Sequence, residues 1–164
     1  MDKLQMVSQL REHLLSSARV ARSARDAAAL EAREGATPAE RREDARTAIE
    51  QGGLVRGQDR RLREAEAAVE ALAGFAPPPW SARSPIHVGA VVEVEDEDTG
   101  EGRTVFLAPV GAGITLEGPG GDGVFSVITP ASPLGRAIIG RRQGDAVDVT
   151  IDGELRSYAI TWVA

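Results

Sequence analysis

Hydrophobic positions along the first part of the chain recur with a helical period. Leu4, Val7, Leu10, Leu14, Ala18, Ala21, Ala28 and Ala32 follow roughly helical spacing, and Asp2 followed three places later by Gln5 resembles a capping box. Nothing breaks this pattern before Gly35, which sits where a left-handed C-terminal cap is wanted. Thr37-Pro38-Ala39-Glu40 then supplies an N-cap, a proline at the first helical position and a glutamate three residues after the cap. A second helix carries Ala45, Ile49, Val55, Leu62, Ala65, Val69 and Leu72 as far as Gly74. With so short a connection the two arms must fold back as antiparallel neighbours, each about 32 residues and ~48 Å long. Gly52, Gly53 and Gly57 fall inside the second arm, where each costs about 1 kcal/mol relative to alanine, and they suggest a bend or a close crossing.

Beyond residue 85 the period changes to that of strands. Val91, Val92 and Val94 form one run, followed by Thr104 to Leu107, Ile114 to Leu116 and Val124 to Ile128, with glycine- or proline-containing turns between them. Ser132-Pro133 opens a short helix through Leu134, Ile138 and Ile139, all expected to face the core, and Gly140 closes it. Val147 to Ile151 and Leu155 to Val163 flank Asp152-Gly153, a two-residue hairpin signal. The expected domain is α+β: an antiparallel sheet of five or six strands with one short helix.

Composition divides the chain at the same place. Residues 1–75 hold 13 basic and 13 acidic side chains and 16 alanines, whereas residues 76–164 hold 6 basic and 12 acidic ones, so the whole net charge of −6 sits in the second half. Pro77-Pro78-Pro79 cannot continue a helix and makes a stiff spacer. The expected domains are a coiled-coil hairpin over 1–75, a Pro-rich linker over 76–85 and a sheet domain over 86–164. Without cysteine there is neither a disulfide framework nor a thiolate zinc site, and two distant histidines, His13 and His87, argue against a histidine metal site. The first ten residues have the form of neither a secretory signal nor a membrane span, and a cytoplasmic location is expected.

Several apparent motifs have simpler explanations. Asp96-Glu97-Asp98-Thr99-Gly100 imitates the start of a calcium loop, but the position for the bidentate glutamate is Leu107, and a hairpin turn accounts for the segment. Gly118 to Gly123 is glycine-rich without the Lys-Ser or Lys-Thr of a phosphate loop. Ser132 lacks a nucleophile-elbow frame, and capping explains it. Arginines of the hairpin alternate with acids as on a solvated helix face, which gives no sign of sequence-specific DNA reading. A merely structural or dimerising coiled coil remains an alternative for the hairpin by itself.

The stretch from Gly89 to Trp162 closely resembles the C-terminal domain of the bacterial GreA/GreB transcript cleavage factors. The resemblance is carried by Thr129-Pro130-Ala131-Ser132-Pro133-Leu134-Gly135-Arg136-Ala137-Ile138-Ile139-Gly140, by Gly144-Asp145-Ala146-Val147 and by Tyr158-Ala159-Ile160. Glu31-Ala32-Arg33-Glu34-Gly35 and Glu50-Gln51-Gly52-Gly53 look like the same family's coiled-coil hairpin, and the domain order agrees. The resemblance implies an FKBP-like C-terminal domain that docks on RNA polymerase at the rim of its secondary channel, with the hairpin reaching towards the active site. The docking residues it suggests are Ser132, Pro133, Leu134, Gly135 and Arg136, with Arg141 and Arg142 alongside.

Family members place two acidic tip side chains where they help hold a second magnesium ion and orient a water for hydrolysis of backtracked RNA. Two hard cations about 3.5 to 4 Å apart stabilise the attacking and leaving oxygens of such a displacement. In this sequence the two acidic positions fall on Ala36 and Ala39, or in a shifted alignment on Pro38 and Arg41. The remaining carboxylates near the turn are Glu34, Glu40, Glu43 and Asp44, while Arg41, Arg42 and Arg46 could neutralise RNA phosphates. The expectation is a non-enzymatic Gre-like regulator that binds RNA polymerase and modulates elongation, with no cofactor or metal of its own and any magnesium shared with the polymerase active site. Stimulated cleavage of backtracked RNA is the alternative, and a peptidyl-prolyl isomerase, suggested only by the implied fold, a distant third.

Overall fold

The computed structural model describes residues 2–34, 45–118, 121 and 123–164, and leaves the side chains of 32–34 and 45–52 outside the description. Its elements are α1 (Lys3–Glu34), α2 (Ala45–Ala73), β1 (Val91–Asp96), β2 (Gly102–Leu107), β3 (Thr115–Glu117), β4 (Val124–Ile128), α3 (Pro133–Ile138), β5 (Ala146–Ile151) and β6 (Glu154–Val163). They divide into two compact units, Met1–Arg11 with Ala71–Ala164, and Glu12–Glu70. Among the described residues no helix is long and apolar enough to cross a membrane.

The helical unit is an antiparallel pair drawn from α1 and α2. Among the described residues, Leu14, Ala18, Ala28 and Leu62 are its buried apolar side chains. Charged pairs tie the arms: Arg22 Nη2 lies 2.5 Å from Glu66 Oε1, and Arg25 Nε lies 3.8 Å from Asp59 Oδ1. The Arg22–Glu66 pair is exposed and contributes at most about 1 kcal/mol, whereas Arg25 is half-buried and its Nε makes no hydrogen bond among the described residues. The glycines of the second arm do not serve a close crossing at the positions described. A Cβ built on Gly53 or Gly57 meets nothing within 4 Å, and α2 runs through both without interruption. The glycine cap and the Thr37-Pro38 start expected between the arms lie outside the described residues.

The second unit is built on a six-stranded sheet in the order β3-β4-β2-β1-β6-β5. The sequence pattern suggests an antiparallel sheet throughout, and one pairing corrects it. β2 and β4 run parallel, with Thr104 opposite Phe125 and Leu107 opposite Ile128, whereas the other four pairings are antiparallel. The cause is residues 108–114, which carry the chain past the place where β4 will lie, so that β3 becomes the outer strand and β4 returns between it and β2. Gly111 and Gly113 take this path with φ of 90° and 85°, a left-handed backbone that glycine adopts without strain.

Alternation along the strands places apolar side chains on both faces. Val92, Val94, Val105 and Leu107 join Val147, Val149, Tyr158, Ile160 and Val163 in one core, capped by Leu134 and Ile138 of α3. Register puts Val91, Phe106, Val127, Phe125 and Leu116 on the other face, where they are also buried. Met6 and Leu10, one turn apart on α1, and Leu72 at the end of α2 are buried within this unit too. Asp2 Oδ1 starts α1 by accepting from the N–H groups of Leu4 at 3.0 Å and Gln5 at 3.2 Å, as the capping pattern predicts. Asp152 and Gly153 turn β5 into β6 with φ of 53° and 86°, the two positive angles a type I′ hairpin requires.

Candidate functional site

The surface that the sequence motif singles out is the α3 helix with the loops on either side. Its shape is set by Ser132. The Ser132 hydroxyl donates to the Thr129 carbonyl at 2.8 Å and accepts from the Gly135 N–H at 3.1 Å, which closes the turn and caps the helix in one move. Pro133 follows at the first helical position. Gly135 allows the turn to close this tightly: a Cβ there would stand 2.0 Å from the Thr129 carbonyl oxygen. The far end is fixed by backbone pairing, with Gly140 N–H donating to Ile86 C=O and Ile86 N–H donating to Arg141 C=O, both at 2.8 Å.

This framework sorts the motif into buried supports and exposed side chains. Leu134, Gly135 and Ile138 are buried, whereas Pro133, Arg136, Arg141 and Arg142 are exposed and Ser132 is intermediate. Ile139, expected in the core, is 40% exposed instead, because the helix ends at Ile138 and Ile139 already leaves helical geometry with ψ of 131°. The Arg136 guanidinium donates to the Ala131 carbonyl, and that of Arg142 to the Arg83 carbonyl. Asp145 holds the start of the next loop by accepting from the Arg142 N–H at 2.8 Å. Arg83 therefore joins the group. The motif did not indicate it, because Arg83 precedes Arg142 by 59 residues and reaches the site only through folding. Arg83, Arg136, Arg141 and Arg142, four of the six arginines in residues 76–164, are all exposed and lie on α3, just after it, or on the segment whose Arg83 carbonyl meets Arg142, in a unit that is otherwise rich in acids.

The other candidate residues fall largely outside the description. Glu40, Glu43, Asp44, Arg41 and Arg42 lie outside the described residues, and Glu34 and Arg46 lie on α1 and α2 with side chains outside the description. Among the described residues no group of three or more histidine and carboxylate side chains could hold a metal ion. Asp96 to Gly100 forms the β1–β2 turn: Asp96 Oδ1 accepts from the N–H groups of Asp98 and Thr99, each at 3.0 Å.

Comparison with known proteins bears on this same unit. A family model described as "Transcription elongation factor, GreA/GreB, C-term" matches residues 82–164, which takes in the whole sheet and α3. The chain belongs to the GreA/GreB family. It is 29% identical over 111 residues to a transcription elongation factor GreA of Polaromonas naphthalenivorans, covering 68% of this chain and 63% of that protein. It is 38% identical over 64 residues to the transcription inhibitor protein Gfh1 of Thermus aquaticus, covering 39% of this chain and 37% of that protein. The chain thus spans less than two thirds of the length of either relative. A crystal structure of GreA factor homolog 1 of Thermus thermophilus aligns over 99% of this chain and 92% of that one, at 20% identity and a TM-score of 0.40.

Proposed function

We propose that this GreA/GreB-family chain is a bacterial transcription factor that binds RNA polymerase through the α3 surface and modulates elongation without catalysis of its own. The observation that carries this reading is the family match over residues 82–164, the segment that contains α3 and its arginines. Ser132, Pro133, Arg136, Arg141 and Arg142 would make the contact, with Leu134 and Gly135 holding it in shape from below. The hairpin would enter the polymerase channel, where Arg41, Arg42 and Arg46 would meet RNA phosphates.

Absence of catalysis is supported by the tip sequence. Ala36 and Ala39 stand where the resemblance calls for carboxylates, and a methyl group offers magnesium no oxygen. Relatives named as an elongation factor and as an inhibitor both match the chain, so occupation of the channel without hydrolysis is compatible with either outcome on elongation. The second reading, stimulated cleavage, draws on Glu34, Glu40, Glu43 and Asp44 as replacement ligands for a magnesium ion shared with the polymerase. Any hydrolysis would then belong to the polymerase.

The test uses purified RNA polymerase and stalled elongation complexes. The expected result is co-migration of the chain with polymerase and altered elongation, with no shortening of the RNA 3′ end. Shortening that disappears in Glu34→Ala or Glu43→Ala would transfer the protein to the cleavage class. Arg136→Glu with Arg141→Glu should abolish co-migration while the thermal unfolding midpoint stays nearly unchanged; loss of both would assign these arginines to the scaffold.

A further inference from the structure

The two edges of the sheet are finished differently. At β3 the edge is closed by a side chain, because Gln9 donates to Glu117 C=O and accepts from Glu117 N–H, both at 3.0 Å. β5 is the other edge, and among the described residues no strand lies beyond it. Its free backbone groups follow from the hairpin. A two-residue loop makes the flanking residues, Ile151 and Glu154, exchange both hydrogen bonds, and the alternation of an antiparallel ladder extends this to Val149 with Arg156 and Val147 with Tyr158. Ala146, Asp148 and Thr150 therefore turn their N–H and C=O groups away from β6, and among the described residues nothing pairs with them. The strand reads AVDVTI, with no proline, lysine or bulge of the kind that usually blunts an edge.

The face beside this edge has a definite charge. Through the register, Ala146, Asp148 and Thr150 share a face with Ala159, Ser157 and Leu155 of β6, and that face continues to Glu95 opposite Ala159 and Glu93 opposite Trp162. Glu93, Glu95 and Asp148 are all exposed there. The neighbouring arginines lie on the opposite face: Arg156 of β6 pairs with Val149, and Arg103 of β2 pairs with Val94, its guanidinium 5.0 Å from the Tyr158 ring centroid. No lysine or arginine of β1, β5 or β6 shares the acidic face. Asp148 is held beside the edge by the Ser157 hydroxyl, which donates to its Oδ1 at 2.7 Å. Leu155, 68% exposed, adds an apolar contact at the hairpin end.

We propose that β5 accepts an extended, lysine- or arginine-bearing segment of a partner protein as a seventh strand. The outward groups of Ala146, Asp148 and Thr150 supply the backbone ladder, and Asp148 selects a cation on the incoming strand. A second copy of this chain fits poorly, since antiparallel pairing of two β5 strands about Asp148 would set like charges against each other. The proposal concerns a different surface chemistry from the arginines around α3, and its test needs only the isolated chain.

The test measures fluorescence anisotropy of two labelled peptides, one alternating lysine with valine and one alternating glutamate with valine, together with amide hydrogen exchange of the protein. The lysine peptide should bind and slow exchange at Ala146, Asp148 and Thr150, and the glutamate peptide should bind at least about tenfold more weakly. Thr150→Pro removes an outward N–H without touching the β6 ladder, and should abolish binding of the lysine peptide. Asp148→Lys, an exposed change, should reverse the preference between the peptides even if the proline variant fails to fold. Failure of both peptides to bind, protection away from β5, or a preference unchanged by Asp148→Lys would overturn the proposal. Dimers in sedimentation that Asp148→Lys alters would overturn it in favour of a second copy.

Discussion

The carboxamide of Gln9 pairs with both backbone polar groups of Glu117, 108 residues away in the chain, with two hydrogen bonds of 3.0 Å. A primary amide presents a donor and an acceptor side by side, the same pair a neighbouring strand would present, so Gln9 ends the β3 edge as a strand would. Beside it, the Leu10 side chain lies against Gly111, where a built Cβ would stand 2.6 Å from Leu10 Cδ1. Gln9→Met removes the donor and the acceptor together while keeping nearly the length and helix propensity of the side chain, and leaves both Glu117 backbone groups without their partner. It should cost about 1 kcal/mol, read as a lower urea midpoint, with faster hydrogen exchange at the Glu117 amide. An unchanged exchange rate would show that this amide is protected by something other than Gln9.

Gly135 is the least replaceable residue of the α3 turn. An alanine methyl there would lie 2.0 Å from the Thr129 carbonyl oxygen and 2.8 Å from Ser132 Oγ, the two atoms whose hydrogen bonds make the cap. Neither can withdraw without opening the turn. Gly135→Ala should therefore cost about 3 kcal/mol or more, against about 1 kcal/mol for Ser132→Ala, which removes the cap but leaves the backbone room. Equal losses in chemical denaturation would mean that the turn relaxes around the methyl.

These two contacts mark where the sequence is informative and where it is silent. Ser132-Pro133, Asp152-Gly153 and Asp2 announce themselves because each solves a local problem, an unpaired N–H or a left-handed turn, with a residue type suited to it. Alternation likewise reports that Phe125 and Val127 are buried, but burial names no neighbour, so the parallel partnership of β4 with β2 is invisible in it. Gln9 occupies a polar position on a long helix and looks like one more solvated side chain. Only the fold brings it to Glu117. The α3 surface was legible through its motif, while Arg83 entered it by way of the Arg142 guanidinium, a contact between segments 59 residues apart.

Gly53 and Gly57 offer a stabilisation without evident structural cost. Both lie within α2, neither has a positive φ, and a Cβ on either meets nothing within 4 Å. Glycine in a helix interior gives up more backbone freedom than alanine and protects its hydrogen bonds less. Gly57→Ala should raise stability by about 1 kcal/mol, and Gly53→Ala should act in the same direction. The readout is the thermal midpoint of the full chain together with its helical circular dichroism. If the double variant is less stable, these glycines serve a conformation of α2 other than the straight helix.

Asp96 gives the sheet unit a predictable acid sensitivity. Its carboxylate is buried at the β1–β2 turn, and the Thr99 N–H, opposed by desolvation and aided by the Asp98 N–H, holds its pKa below the ordinary aspartate value. A carboxylate with a depressed folded-state pKa binds protons more readily when unfolded, so the sign is fixed. The stability it contributes is complete above the unfolded value, about 3.9, and is lost as pH falls through the lower folded value. Asp96→Asn keeps an oxygen that can accept from both N–H groups but removes the titration. In urea titrations from pH 6 down to pH 2, the variant should therefore lie below the parent at the upper end and converge on it at the lower, with a shallower loss between. Parallel curves throughout would mean that another carboxylate carries the acid response.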